Sequence, residues 1–369
     1  MTIFSFLTSR MRLPKLLIFV AGIVLTLFFN SISTPSQTLT RDKFLWPFAS
    51  TSPWNMPIGS DARYIAANIE KAQYAGADLE FFYKLKQSDP ERPVYAPGAW
   101  GEGRCNGTQS MGISLPFPDN IIVPDATKVP FSTPNNASAF LMPDGKRLVQ
   151  LSPLARCQPG GSIYGFRYSS PTEPDGMIDI YGAGIGGAHF GSRLSSIGGS
   201  IRKGELIGNK PIRHALKVLI WGEKYLHYSK SIPGFRWPAT GADNYAADHY
   251  HGKNPALVQG SLLAIPPSET EASLNLKTPA AKKLFHALQD YGAYIVDDAY
   301  WDCHYFSMEK EALEEFQNTY GYGFQDTSGE FYEDFMKLFQ TLYIVDNNGS
   351  NSIGGGGTPR QPLAPPIGN

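Results

Sequence analysis

Charge is scarce in this chain of 369 residues, since 18% are Asp, Glu, Lys or Arg against about 25% in a typical soluble domain. Neither sign prevails: the formal net charge is −1, so there is no basic field, and nucleic-acid binding through phosphate neutralisation is excluded. Cysteine is nearly absent, with three residues. Also lacking are a G-x-S-x-G elbow, an H-E-x-x-H pair, a P-loop and a C-x-x-C pair, which removes the usual support for serine-esterase and zinc-protease chemistry. No repeat of 20–50 residues is visible, and beyond residue 29 no apolar run approaches spanning length.

What is present is turn-forming and aromatic. Glycine (37) and proline (29) would break a helical bundle, while 42% hydrophobic and 13% aromatic residues are enough for a sizeable core. The composition predicts a mainly β protein, a sandwich or jelly roll, with α-helices added in the C-terminal third.

Residues 1–33 hold no Asp or Glu, carry Arg10, Arg12 and Lys15, and lead into the apolar run Leu16–Phe29. Fourteen residues suit a signal-peptide core better than a full span, so 1–33 reads as a signal peptide or an uncleaved membrane anchor. Either exports the chain, to the medium, the periplasm or the cell surface, with any membrane contact confined to this segment. Export makes a disulfide admissible. Cys105 and Cys157 both sit beside glycine-rich turns and are the favoured pair.

Residues 34–52 read as a linker and 53–300 as a β-rich body. Within the body a helix is expected over Asp61–Ala75, a hairpin around Pro143-Asp144-Gly145, and strands over Met177–Tyr181 and His214–Trp221. Thr278-Pro279 opens a helix that Gly292 stops, and Ala293–Val296 follows as a strand. Residues 301–345 read as an acidic helical segment packed on the body, with a net charge of −7 over 301–340. The Asn/Gly/Ser/Pro-rich stretch 346–369 reads as a disordered tail.

Gly182-x-Gly184-x-x-Gly187 matches a dinucleotide fingerprint in spacing, but no helix follows to receive a pyrophosphate. Nine glycines over 182–208 instead predict close packing of backbone. His189 and Arg193 lie within this stretch. His214 opens a strand as a candidate base, with Arg213 and Lys217 near it to hold a substrate carboxylate. Asp243, Tyr245, Trp237 and His249 mark a polar, aromatic loop suited to a sugar. His249 and His251 form an H-x-H pair that can bind zinc, but they supply only half of a tetrahedral site, and no metal or other cofactor is expected.

Asp297, Asp298 and Asp302 follow a buried strand. Glycoside hydrolysis needs two carboxylates. Neighbours on a strand point to opposite faces, so Asp297 or Asp298 would pair with a third acid: Asp243, Asp179 or Glu205. The candidate catalytic residues are thus His189, His214, Asp243, Asp297 and Asp298. Candidate substrate contacts are Arg193, Arg213, Lys217, Trp237, Tyr245, His249 and Asp302. The functional expectation is an exported enzyme cleaving a polysaccharide, with hydrolysis placed ahead of elimination as the commoner chemistry. The alternative is a non-catalytic glycan-binding or envelope-structural protein using the same aromatics.

Overall fold

The structure, a computed structural model, describes residues 40–126 and 135–368. The signal or anchor expected over 1–33, and the first residues of the linker expected over 34–52, lie outside the described residues. The strands are β1 (Tyr64–Ala66), β2 (Tyr74–Lys84), β3 (Glu91–Tyr95), β4 (Ser110–Pro116), β5 (Ser138–Leu141), β6 (Arg147–Ala155), β7 (Ile163–Arg167), β8 (Met177–Asp179) and β9 (Gly186–His189). There follow β10 (Leu216–Trp221), the short α1 (Gly222–Tyr225) and α2 (Ala246–His249), and β11 (Leu262–Ala264). The C-terminal part holds α3 (Pro279–Asp290), β12 (Ala293–Ala299), β13 (Cys303–Glu309), α4 (Lys310–Tyr320), α5 (Glu330–Gln340) and β14 (Tyr343–Val345).

The protein is mainly β, with its longer helices in the C-terminal third. Thirteen strands join one mixed sheet in the order β1-β14-β11-β12-β10-β13-β2-β5-β6-β7-β3-β4, with β8 paired to β6. This continuous sheet is the observed form of the β architecture for which a sandwich or jelly roll was expected. Its continuity comes from the length of β2: Tyr74–Glu80 pairs with β13, and Phe81–Lys84 goes on to pair with β5. Alternation along β10 then separates two cores. Leu216, Val218 and Ile220 face Leu284, Phe316 and Phe335 of α3, α4 and α5. Ala215 and Leu219 face the other way, toward Phe48, Trp54, Ala188 and Leu194. Among the described residues no helix is long and apolar enough to cross a membrane.

Several local expectations change in the tertiary structure. The helix expected over Asp61–Ala75 is absent; Tyr64–Ala66 pairs antiparallel with β14 and Tyr74 opens β2, because long-range pairing outweighs a weak helical preference. Residues 301–345, expected as helical, also enter the sheet: they supply β13, which lies between β10 and β2 near its middle. Thr278 precedes α3 as expected, but its hydroxyl and amide both donate to Asp334 of α5, at 2.9 and 2.8 Å. One buried carboxylate thereby ties the start of α3 to α5.

The ends expected to be loose are packed. Phe48 is fully buried, and the Arg41 guanidinium donates to the carbonyls of Trp46, Pro47, Phe48 and Pro365. Arg41 also bridges to Ile367, and Gly59 to Pro359. Gly354, Gly355, Gly356 and Gly357 all have positive φ, from 68° to 90°. Such a run is open only to glycine, so a composition that reads as disorder encodes a tight turn. A Cβ on Gly355 would stand 2.6 Å from Ala62 Cα. Gly355→Ala is therefore expected to cost about 1–3 kcal/mol in urea unfolding, whereas a disordered tail would tolerate it without change.

Candidate functional site

The ends of β12 and β10 open into a cleft of about 810 Å³. Asp297 reaches it through a bulge: Val218 pairs with Ile295 but Leu219 with Asp297, so β12 carries one extra residue at Val296. Asp298 is in register with Ile220, so the two acids do alternate, as the strand period requires. Both nevertheless come together with Asp243, and one oxygen from each of the three lies within 4.8 Å of the others, near enough for each charge to be felt strongly by the other two. The loop bearing Gly191 allows this approach. A Cβ there would fall 2.7 Å from Asp243 Oδ2 and 3.0 Å from Asp297 Oδ1.

The three carboxyls are held differently. Asp243 Oδ2 accepts from the Tyr250 hydroxyl at 2.6 Å and from Gln259 Nε2 at 2.7 Å. Burial raises its pKa, and these two donors pull it back. Asp298 accepts from the Tyr245 hydroxyl at 2.8 Å, while its Oδ2 is buried with no hydrogen-bond partner among the described residues. Asp297 accepts from the Asp298 amide at 3.0 Å and from Asn135 Nδ2 at 3.3 Å. Burial and then the charge of Asp243 push both Asp297 and Asp298 well above the usual carboxylate range. Asp78 also lines the cleft, and burial, with the charges of Glu80 and Asp297, pushes it up to about 7.

Aromatic rings form the walls: Trp100, Phe190, Tyr245, Tyr300, Trp301 and Tyr305. Trp100 and Tyr300 are 46% and 59% exposed and stand open to a ligand. His249 lies behind Tyr300, stacked on it at 4.3 Å. The Trp100 loop is tied down by the Cys105–Cys157 disulfide, the pairing favoured from the sequence, and by Arg104, whose Nε donates to the Trp100 carbonyl at 2.9 Å. Cys303 is free and buried.

Beneath Asp297 lies a fully buried group. His189 Nε2 is 2.7 Å from Glu80 Oε1, and Lys217 Nζ and Ser200 Oγ also donate to Glu80. Burial alone would raise Glu80, but Lys217 and His189 outweigh it and lower its pKa. Lys217 is fully buried and cannot touch a substrate.

The remaining candidates lie outside the cleft lining. His214 is buried with Nε2 3.0 Å from Glu205 Oε1 and Nδ1 2.9 Å from the Ala215 carbonyl. Arg213 is exposed. Arg193, in the left-handed region at φ 62°, is exposed where its side chain runs past Gly241. Trp237 and Asp302 are half-buried, and the Asp302 carbonyl accepts from the Tyr74 amide. The H-x-H pair is split, because His249 ends α2 while the backbone of exposed His251 bridges to His227. Asp78, Glu80, Asn135 and Gln259 were not singled out from the sequence. The acids in the otherwise apolar run YAGADLEFF were the available signal for the first two.

No protein-family model, curated protein or solved structure matches this chain. The fold and site themselves define a β-rich protein with an acidic, aromatic-walled cleft.

His214 provides a check on what lies away from the cleft. Burial alone would lower its pKa, but the ion pair with Glu205 wins and raises it above 6.5. The stabilisation is thus fully present below pH 6.5, the unfolded value, and is lost as pH rises through the higher folded value. His214→Gln is expected to lose about 1–3 kcal/mol at pH 6 and less at pH 9, measured by urea unfolding. A penalty independent of pH would contradict the ion-pair role.

Proposed function

We propose that this chain is an exported enzyme that hydrolyses a glycosidic bond of a polysaccharide in the acidic cleft. The observation that carries the reading is the grouping of Asp243, steadied by two donors, with the more strongly raised pair Asp297 and Asp298. Environments that push neighbouring carboxyls apart in acidity divide the labour between acid and nucleophile. Asp243 is the ionised member, and the Asp297–Asp298 pair titrates as a unit that holds the proton.

The reaction then follows. The Asp297–Asp298 proton passes to the leaving glycosidic oxygen as that bond breaks, and Asp243 bonds to the anomeric carbon. Water next cleaves the glycosyl ester, giving its proton back to the acid pair. The carboxyl oxygens all lie within 4.8 Å of one another, a close grouping that suits a retaining pair better than the wide gap an inverting enzyme keeps for water. Trp100 and Tyr300 offer flat faces for sugar rings at the mouth. Elimination from a uronate is less well served, since the lining described is rich in carboxylates and holds no Lys or Arg. The Cys105–Cys157 disulfide supports an oxidising compartment, and the apolar segment within 1–33 would direct export.

The test incubates the purified chain with neutral and uronic-acid polysaccharides, measuring reducing ends, unsaturated-uronate absorbance and product anomer. New ends without that absorbance, with retained configuration and unchanged by EDTA, are expected. Asp243→Asn, Asp297→Asn and Asp298→Asn should each lose about 10²–10⁴-fold. Because the acid must stay protonated and its pKa is raised, activity should persist to higher pH than an ordinary carboxyl allows. Unsaturated products would mean a lyase, loss in EDTA a metal-dependent route, and binding without cleavage a glycan-binding protein.

A further inference from the structure

His189 has one ring nitrogen fully engaged and the other unexplained. Nε2 stands 2.7 Å from Glu80 Oε1. An ionised carboxylate only accepts, so Nε2 carries a hydrogen and donates it. Nδ1 is buried with no hydrogen-bond partner among the described residues, and it faces Asp297 Oδ2 at 3.9 Å. A polar atom left unpaired in a side chain 0% exposed carries a cost, so the Nδ1–Asp297 contact calls for a proton.

Two arrangements supply one. Either the ring is a cation and Nδ1–H donates to an ionised Asp297, or the ring is neutral and a protonated Asp297 donates to the Nδ1 lone pair. Surrounding charge decides between them. Lys217 Nζ lies 3.2 Å from Nε2 and opposes a second positive charge on the ring. Glu80 favours a ring cation, but it is already engaged by Lys217 and Ser200. On the other side, Asp243 and Asp298 oppose a negative charge on Asp297. Asp78 adds to that opposition, and the Tyr245 and Tyr250 hydroxyls are spent on Asp298 and Asp243.

We propose that His189, its Nε2 proton held by Glu80, turns the Nδ1 lone pair on Asp297 and keeps that carboxyl in its acid form. His189 is a positioning residue, since it acts through Asp297. A small rotation of the Asp297 carboxyl is enough to bring Oδ2 from 3.9 Å to hydrogen-bond distance of Nδ1. Its consequence for catalysis rests on the hydrolase reading; the protonation state itself does not.

The experiment therefore reads the protonation state directly. The full chain, labelled with ¹⁵N, is examined by NMR at pH 7, the His189 ring being assigned by its loss in His189→Gln. A neutral ring with Nδ1 unprotonated is expected, together with an infrared carboxylic-acid band that disappears in Asp297→Asn. A doubly protonated ring, absence of that band, or a stoichiometric divalent ion found by elemental analysis overturns the proposal. Where hydrolysis is observed, His189→Leu should move the alkaline limb of the pH–rate profile down by about one unit. An unchanged limb in a variant with wild-type circular dichroism also overturns it. If the substrate panel shows no hydrolysis, the NMR and infrared results still decide the proposal.

Discussion

Like charges confined at the end of β12 are the constraint around which the rest of this molecule is arranged. Two unit charges no more than 4.8 Å apart repel by about 3 kcal/mol or more even at an effective dielectric constant of about 20. Three full charges cannot be held in one buried place without compensation. The surroundings supply it unequally. Tyr250 and Gln259 serve Asp243, Tyr245 serves Asp298, and among the described residues Asp297 has only an amide, Asn135 and the His189 edge. That inequality is what allows one acid to be charged while its neighbours hold a proton.

The fold earns this arrangement from opposite sides of one sheet. Helices α3, α4 and α5 cover one face with their apolar sides, packed on β10, β12 and β13. The other face is covered by chain that must approach closely, including the turn at Gly191 and the loop carrying Ser195 and Ser196, whose carbonyls accept from Lys217. Any side chain at Gly191 would separate Asp243 from Asp297. The glycine excess of the sequence thus serves two ends, close packing beside the acids and the left-handed run at 354–357.

A good part of this was legible in advance. Asp243, Asp297, Asp298 and Tyr245 were singled out because acids and aromatics at a strand end and in a loop suit sugar chemistry, and the structure places all four in one cleft. The mainly β character, the helix opening at Pro279 and the Cys105–Cys157 pairing also followed from composition and local signals. His214, Arg213 and Trp237 were drawn from equally local signals and lie elsewhere. A residue type states what chemistry a side chain can do, and says nothing of which neighbours it will meet.

What the sequence by itself determined are short-range matters. The 2-residue period of β10 sorts its side chains to two faces, Pro279 can begin a helix, and only glycine accepts the φ values of 354–357. What only the tertiary structure decided are meetings between distant segments. Glu80, His189, Lys217 and Asp297 come from four separate stretches of chain. Their joint protonation depends on distances of a few ångströms and on the exclusion of water. Coulomb energy and desolvation vary with spatial separation and burial, and neither can be read from separation along the chain.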